Sequence, residues 1–212
     1  MNRFSNPGRI LMAVIIAAIA VGAGIWAARA LLEAPAHVGT LSATRFPVAR
    51  PLQAFELVDH NGQRFDNQAL QGHWTFLFFG YTHCPDVCPT TLLVLNAVAH
   101  RLADTGASAR FAFITVDPQR DTPEQLARFV TYFNGDFIGI TGEPAAIEQL
   151  TKQLGVLFMQ VSDDPNPDSY LVDHTASVFL IDPDGRYQAV FTPPLDAAAI
   201  SGDFKTMLEA FP

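Results

Sequence analysis

The chain has 212 residues, 49% of them hydrophobic and 16% charged, enough for one good core plus an extra segment. Its formal net charge is -8 and no basic stripe runs along it, so nucleic-acid binding finds no support. Two cysteines allow a single internal pairing, no period repeats, and no segment is low in complexity.

Residues Ile10 to Ala28 carry no charge and are mostly Ala, Ile, Val and Leu, with Arg3 and Arg9 before the run and Arg29 after it. As a helix the run spans about 28 Å, close to the hydrocarbon thickness of a bilayer. It is longer than the apolar stretch of a signal peptide, which favours a retained transmembrane anchor, although Ala27-Ala28-Arg29-Ala30 has some likeness to a cleavage site. Charges flank both ends, and the short tail with its two arginines most simply stays in the cytoplasm. The expected layout is a cytoplasmic tail over 1–9, an anchor over 10–28, a linker over 29–53 containing Pro35, Pro47 and Pro51, and a folded domain over 54–212. That domain would face a compartment in which disulfides persist, the periplasmic side of a bacterial inner membrane.

Phe55 to Asp66 reads as a hairpin, with Asn61-Gly62 supplying the turn. His37 in the linker, His60 beside the turn and His73 before the next strand are expected to be solvated. Trp74 to Phe79 is a buried strand that leaves through Gly80, and a helical pattern with Leu92, Leu95, Val98 and Leu102 runs from Thr90 to Ala103. Arg110 to Asp117 is an apolar strand, and Thr122-Pro123-Glu124-Gln125 has capping-box spacing for a helix to about Phe133. A short strand over Asp136–Ile140, a helix over Glu143–Leu154 and an extended Val156–Gln160 follow, with Met159 expected in the core. Ser162 to Ser169 is an acidic, proline-containing loop, read as a solvated connection. Ser177–Ile181 and Tyr187–Phe191 form a second hairpin around Asp182-Pro183-Asp184-Gly185, and an amphipathic helix from Asp196 to Ala210 closes the chain.

Cys84 and Cys88 sit between the Trp74 strand and the following helix, with Pro89 suited to the first helical turn. Free N–H groups and the positive end of the helix dipole favour a thiolate there. Three residues separate the cysteines, which leaves both a disulfide and a metal-spanning pair within reach and makes the open pair easier. A structural disulfide over so short a loop removes little chain entropy. Two thiolates without a set of four suit a soft ion of low coordination number, Cu(I) first.

The order of elements is α/β and matches a thioredoxin-like fold with an N-terminal β-hairpin and a helix and strand insertion near residues 118 to 160. In that fold the cysteine turn faces the loop before the third core strand, here Asp173-His174-Thr175. His174 is therefore expected to approach Cys84 and Cys88, giving a Cys2His site for Cu(I) and, with water or a fourth ligand, Cu(II). Asp173 is expected to orient the imidazole. His83, the rival ligand, is expected to point away because neighbours on an extended segment face opposite sides.

Phe79-Gly80-Tyr81-Thr82-His83-Cys84-Pro85-Asp86-Val87-Cys88-Pro89 resembles the signature of the SCO/SenC family of copper-binding assembly proteins. Val116-Asp117-Pro118-Gln119-Arg120-Asp121-Thr122 resembles its second motif, and Val172-Asp173-His174-Thr175 with Leu180-Ile181-Asp182-Pro183-Asp184-Gly185 its third. The resemblance spans about residues 50 to 211. It implies a membrane-tethered metallochaperone with ligands Cys84, Cys88 and His174, delivering copper to the dinuclear centre of cytochrome c oxidase subunit II. Other copper chaperones or thiol reductants would be its further partners. The alternative is a thiol–disulfide oxidoreductase in which Cys84 and Cys88 are the redox-active pair and keep the target cysteines reduced. Asp117 and Arg120 carry either a structural ion pair or a functional role.

Overall fold

A computed structural model describes residues 7–32, 42–104, 106–161 and 170–210. His37 and the acidic loop at 162–169 lie outside the described residues. The chain divides into two units, Met1–Thr40 and Leu41–Pro212. In the first, helix α1 (Pro7–Leu32) covers the apolar run. Leu11, Met12, Val14, Ile15, Ile16, Ile19 and Val21 on it are all exposed. Among the described residues no helix is long and apolar enough to cross a membrane, so the expected transmembrane helix is not a finding of the structure.

The second unit contains β1 (Ala43–Pro51), β2 (Glu56–Asp59), β3 (Arg64–Asp66), β4 (Thr75–Gly80), α2 (Val87–Ala103), β5 (Arg110–Thr115), α3 (Pro123–Phe133), β6 (Ile138–Thr141) and α4 (Pro144–Leu154). It continues through β7 (Phe158–Val161), β8 (Leu171–His174), β9 (Val178–Ile181), β10 (Arg186–Phe191) and α5 (Ala197–Glu209). Eight strands form one sheet in the order β1-β10-β9-β4-β5-β6-β2-β3, and β7 and β8 form a separate ribbon.

Strand β4 is the axis of this sheet. All six of its residues are buried, as the unbroken run Thr75-Phe76-Leu77-Phe78-Phe79-Gly80 requires of a strand covered on both faces. It pairs parallel with β5 and antiparallel with β9. Phe76 stacks on Phe111 with centroids 5.1 Å apart and also meets Phe204 of α5. Each such side chain stabilises the fold by about 1.5–3 kcal/mol through burial. Helix α2 buries Leu92, Leu95, Val98 and Leu102 at helical spacing. Thr122 caps α3 in the expected box, accepting from Gln125 N while Gln125 Oε1 accepts from Thr122 N. This is the expected thioredoxin-like layout, with the cysteine turn leaving β4 and the β8–β9 connection lying against it.

Two expectations change. Residues 43–51, expected as the end of a linker, form β1 along β10. Pro47 and Pro51 are tolerated because β1 is an edge strand whose register shifts between Arg45 and Arg50. Ser42 Oγ and Ala43 N both donate to Asp203 of α5, at 2.7 and 3.0 Å, and tie down its start. His60 is not a solvated loop residue. Its N–H donates to Gly139 O at 2.8 Å and its Nδ1 accepts from Gly139 N at 2.9 Å, joining the β2–β3 hairpin to the start of β6.

Candidate metal centre

Helix α2 begins at Val87, two residues before the expected proline position, so Cys88 lies in its first turn. The first N–H groups of a helix have no partner within it. One of them, Cys88 N, donates to Cys84 Sγ at 3.4 Å. Pro89 has no N–H to leave unpaired.

Gly80 closes β4 for a different reason than the expected turn. It has no side chain because a Cβ there would sit 2.6 Å from Cys88 Sγ and 2.8 Å from the Phe113 ring. The glycine makes room for the buried sulfur.

The turn before Cys84 is held by Asp121, which is fully buried. Its carboxylate accepts from Thr82 N at 3.0 Å, from Thr82 Oγ1 at 2.6 Å and from Thr115 Oγ1 at 2.6 Å. In sequence Asp121 is only a member of a motif. No periodicity marks a carboxylate buried by three donors from distant positions.

His174 ends β8, with Nε2 3.3 Å from Cys88 Sγ. The rings of Phe78 and Tyr81 meet the imidazole at centroid distances of 6.0 Å. Its Nδ1 lies 3.2 Å from the Thr175 carbonyl. Nε2 faces the sulfurs in either tautomer, and the one with its proton on Nδ1, donated to that carbonyl, is the one whose Nε2 could ligate a metal. The orienting acceptor is therefore backbone, not the expected Asp173. Asp173 pairs with Met159 across the ribbon, and alternate residues of a strand face opposite sides.

Met159 is 65% exposed rather than in the core, because the β7–β8 ribbon stands apart from the main sheet. His83 turns away as expected: its Nδ1 is 3.1 Å from Thr82 Oγ1. His73 is exposed, between Gln71 O and Arg110. Asp117 and Arg120 form an ion pair.

Cys84 Sγ, Cys88 Sγ and a ring nitrogen of His174 all lie within 4.8 Å of one another, and both cysteines are free. Metal–sulfur and metal–nitrogen bonds of about 2.0–2.3 Å fit inside such a spread. Two soft sulfurs and one imidazole match a soft or borderline transition metal.

The two thiols differ sharply. A hydrogen bond from the Cys88 side chain, against the opposing effect of burial and with help from the N–H groups of Asp86 and Cys88 and from His174, lowers the Cys84 thiol to about 4. The same hydrogen bond, followed by burial, pushes the Cys88 thiol up. Near neutral pH the pair is thus a half-exposed thiolate beside a buried thiol that donates to it.

The family model for SCO1/SenC matches residues 47–209. The chain belongs to the SCO1/SenC family. This SCO1/SenC chain is 38% identical to an SCO2-like protein of Rickettsia prowazekii over 71% of its own length and 74% of the relative's. It is similar to the copper-bound ScoI of Arabidopsis thaliana, with a TM-score of 0.71 and 31% identity over 75% of this chain and 98% of that one. Against the copper-bound ScoI of Bradyrhizobium japonicum the TM-score is 0.65 and the identity 34%, covering 74% and 98%. The SCO1/SenC match reaches back to Pro47, inside β1, in keeping with a domain that starts before residue 54.

Proposed function

We propose that this chain is a copper metallochaperone whose ligands are Cys84, Cys88 and His174. The observation that carries the reading is the convergence of two free sulfurs and one imidazole nitrogen within 4.8 Å, on a fold whose solved relatives hold copper. Both thiols would bind deprotonated, Cys88 giving up the proton it donates to Cys84. Cu(I) is the cargo that a two-sulfur, one-nitrogen set favours, and Cu(II) would need a further ligand. Cys84 is the more exposed sulfur and is the one an incoming thiolate of the acceptor would meet first. Transfer then proceeds by ligand exchange with no covalent change to the chain.

The acceptor we propose is cytochrome c oxidase subunit II, at its dinuclear copper centre, with other copper chaperones upstream. We propose further that the apolar run at 10–28 tethers the domain to a bacterial inner membrane, with the metal centre on the periplasmic side. The uncharged sequence and the exposed apolar side chains along α1 support the tether.

The contrast between the thiols supports a second reading, a thiol–disulfide oxidoreductase. Cys84 thiolate would attack a target disulfide to give a mixed disulfide. Cys88, after passing its proton to His174, would then attack the Cys84 sulfur, releasing the reduced target and leaving a Cys84–Cys88 disulfide. The test mixes the reduced, Cu(I)-loaded chain with an apo fragment of subunit II, in one arm with the fragment's cysteines reduced and in the other with them disulfide-bonded as the oxidant, and follows copper and thiol oxidation together. Copper transfer with both thiols still reduced is the expected result. Stoichiometric oxidation of Cys84 and Cys88 without copper transfer would establish the second reading instead.

A further inference from the structure

One short turn reaches both halves of the metal centre. Residues 116–122, between β5 and α3, carry Asp121, which clamps Thr82 ahead of Cys84. The same turn carries Asp117 and Arg120, which grip Tyr170. Tyr170 stands immediately before β8, four positions ahead of His174. Its Oη donates to Asp117 Oδ1 at 2.7 Å, and Arg120 Nη1 donates to its carbonyl at 3.0 Å. The guanidinium lies over the tyrosine ring, 3.5 Å from its centroid, while Arg120 Nε donates to Asp117 Oδ2. The turn itself is fastened to the cysteine strand, since Val116 N donates to Gly80 O at 2.8 Å, and to the end of β5, since Asp117 N donates to Thr115 Oγ1 at 2.9 Å.

These ties matter because β8 pairs only with β7 and is not hydrogen-bonded into the main sheet among the described residues. His174 therefore ends a two-stranded ribbon that is held to the rest of the domain by the burial of Val172 and by side-chain contacts, not by a ladder of sheet hydrogen bonds. Four residues of strand form a lever of about 13 Å, and ligand sets need placement within about 0.5 Å. A bond to a charged acceptor and a guanidinium stacked on an aromatic face are the stronger members of their classes.

We propose that Asp117, Arg120 and Tyr170 are positioning residues that hold His174 at ligand distance from the cysteine pair, so that the 116–122 turn braces the sulfur and imidazole halves against each other. The proposal rests on the copper reading above. None of the three residues touches the ion. They act through His174.

The test is a double-mutant cycle on the full chain, reduced and titrated with Cu(I) against a chromophoric chelator. Tyr170→Phe keeps the ring and loses the bond to Asp117. It is expected to weaken Cu(I) binding about tenfold in the parent, but by under about twofold when His174 is already alanine. Arg120→Lys, which keeps the charge but not the stacked fork, is expected to behave in the same way. An equal loss in both backgrounds would mean a general structural role and overturn the proposal, as would parent-like binding by Tyr170→Phe and Arg120→Lys. If His174→Ala alone binds Cu(I) like the parent, the three-ligand reading fails and takes this one with it. A loss in His174→Ala beside parent-like Tyr170→Phe and Arg120→Lys removes only the brace.

Discussion

His174 Nε2 lies 3.3 Å from the Cys88 sulfur, although 86 positions separate the two residues in the chain. Strand pairing brings them together. β4 delivers the cysteine turn, β9 pairs with β4, and His174 stands four residues before β9 begins. A candidate metal centre assembled this way has one half on a helix start and the other on a ribbon, and each half can be disturbed separately.

Replacing His174 by alanine removes the nitrogen donor and leaves both sulfurs. Loss of an outer partner of a metal ligand costs about 10–100-fold in affinity, and loss of the ligand itself is expected to cost at least as much. Thiol exchange should be largely intact. Cu(I) competition titration alongside the rate of reaction with a small disulfide checks both halves of the prediction.

Gly80→Ala is expected to damage the site without changing any ligand. Its Cβ would fall 2.6 Å from Cys88 Sγ and 2.8 Å from the Phe113 ring, in a strand buried along its whole length. Overpacking of this kind costs about 1–3 kcal/mol. Denaturant unfolding should show that loss, and Cu(I) binding should weaken as the sulfur is displaced.

The reactivity of Cys84 should persist well into acid. Its thiol is lowered from 9.0 to about 4, so the thiolate stays the major form down to roughly that pH and is protonated below it. Alkylation at pH 6 should therefore modify Cys84 and spare the buried, protonated Cys88, with the rate falling only as pH approaches about 4. Cys88→Ala removes the thiol that donates to Cys84 and should shift that fall to higher pH. Mass spectrometry of the alkylated chain across pH 3 to 9 reads both.

Oxidation should abolish metal binding. A Cys84–Cys88 disulfide removes both thiolates, and His174 alone is a weak site. The oxidised chain is expected to retain no Cu(I) after gel filtration, and reduction should restore one ion per chain. Stoichiometric copper on the oxidised form would contradict the ligand set.

Much of this architecture is legible in the chain. The unbroken apolar β4, the Asn61-Gly62 hairpin and the Thr122 box are local signals, and each appears where it is expected. His174 is legible through topology and through the likeness of Val172-Asp173-His174-Thr175 to a family motif, since no periodicity or local spacing marks it as a ligand. β1 is hidden because Pro47 and Pro51 read as loop unless the strand is known to lie at an edge. Met159 and Asp173 are misread because both depend on which way the ribbon faces: Val172 turns into the core, so its neighbour Asp173 and Met159 opposite Asp173 are left exposed. The reason for Gly80 and the role of Asp121 depend on atoms brought from elsewhere in the chain: a sulfur in α2 and hydroxyls from Thr82 and Thr115.

If the pair carries copper as proposed, the unequal thiols would also set how many protons leave when the ion binds. Cys84 is already ionised at neutral pH, so an incoming monovalent ion that takes both sulfurs expels one proton rather than two, and that proton comes from Cys88. Loading leaves the net charge of the centre unchanged, and unloading draws one proton back in. On the copper reading, ion and proton would therefore move in opposite directions through the same pair of sulfurs, and acidification would favour release.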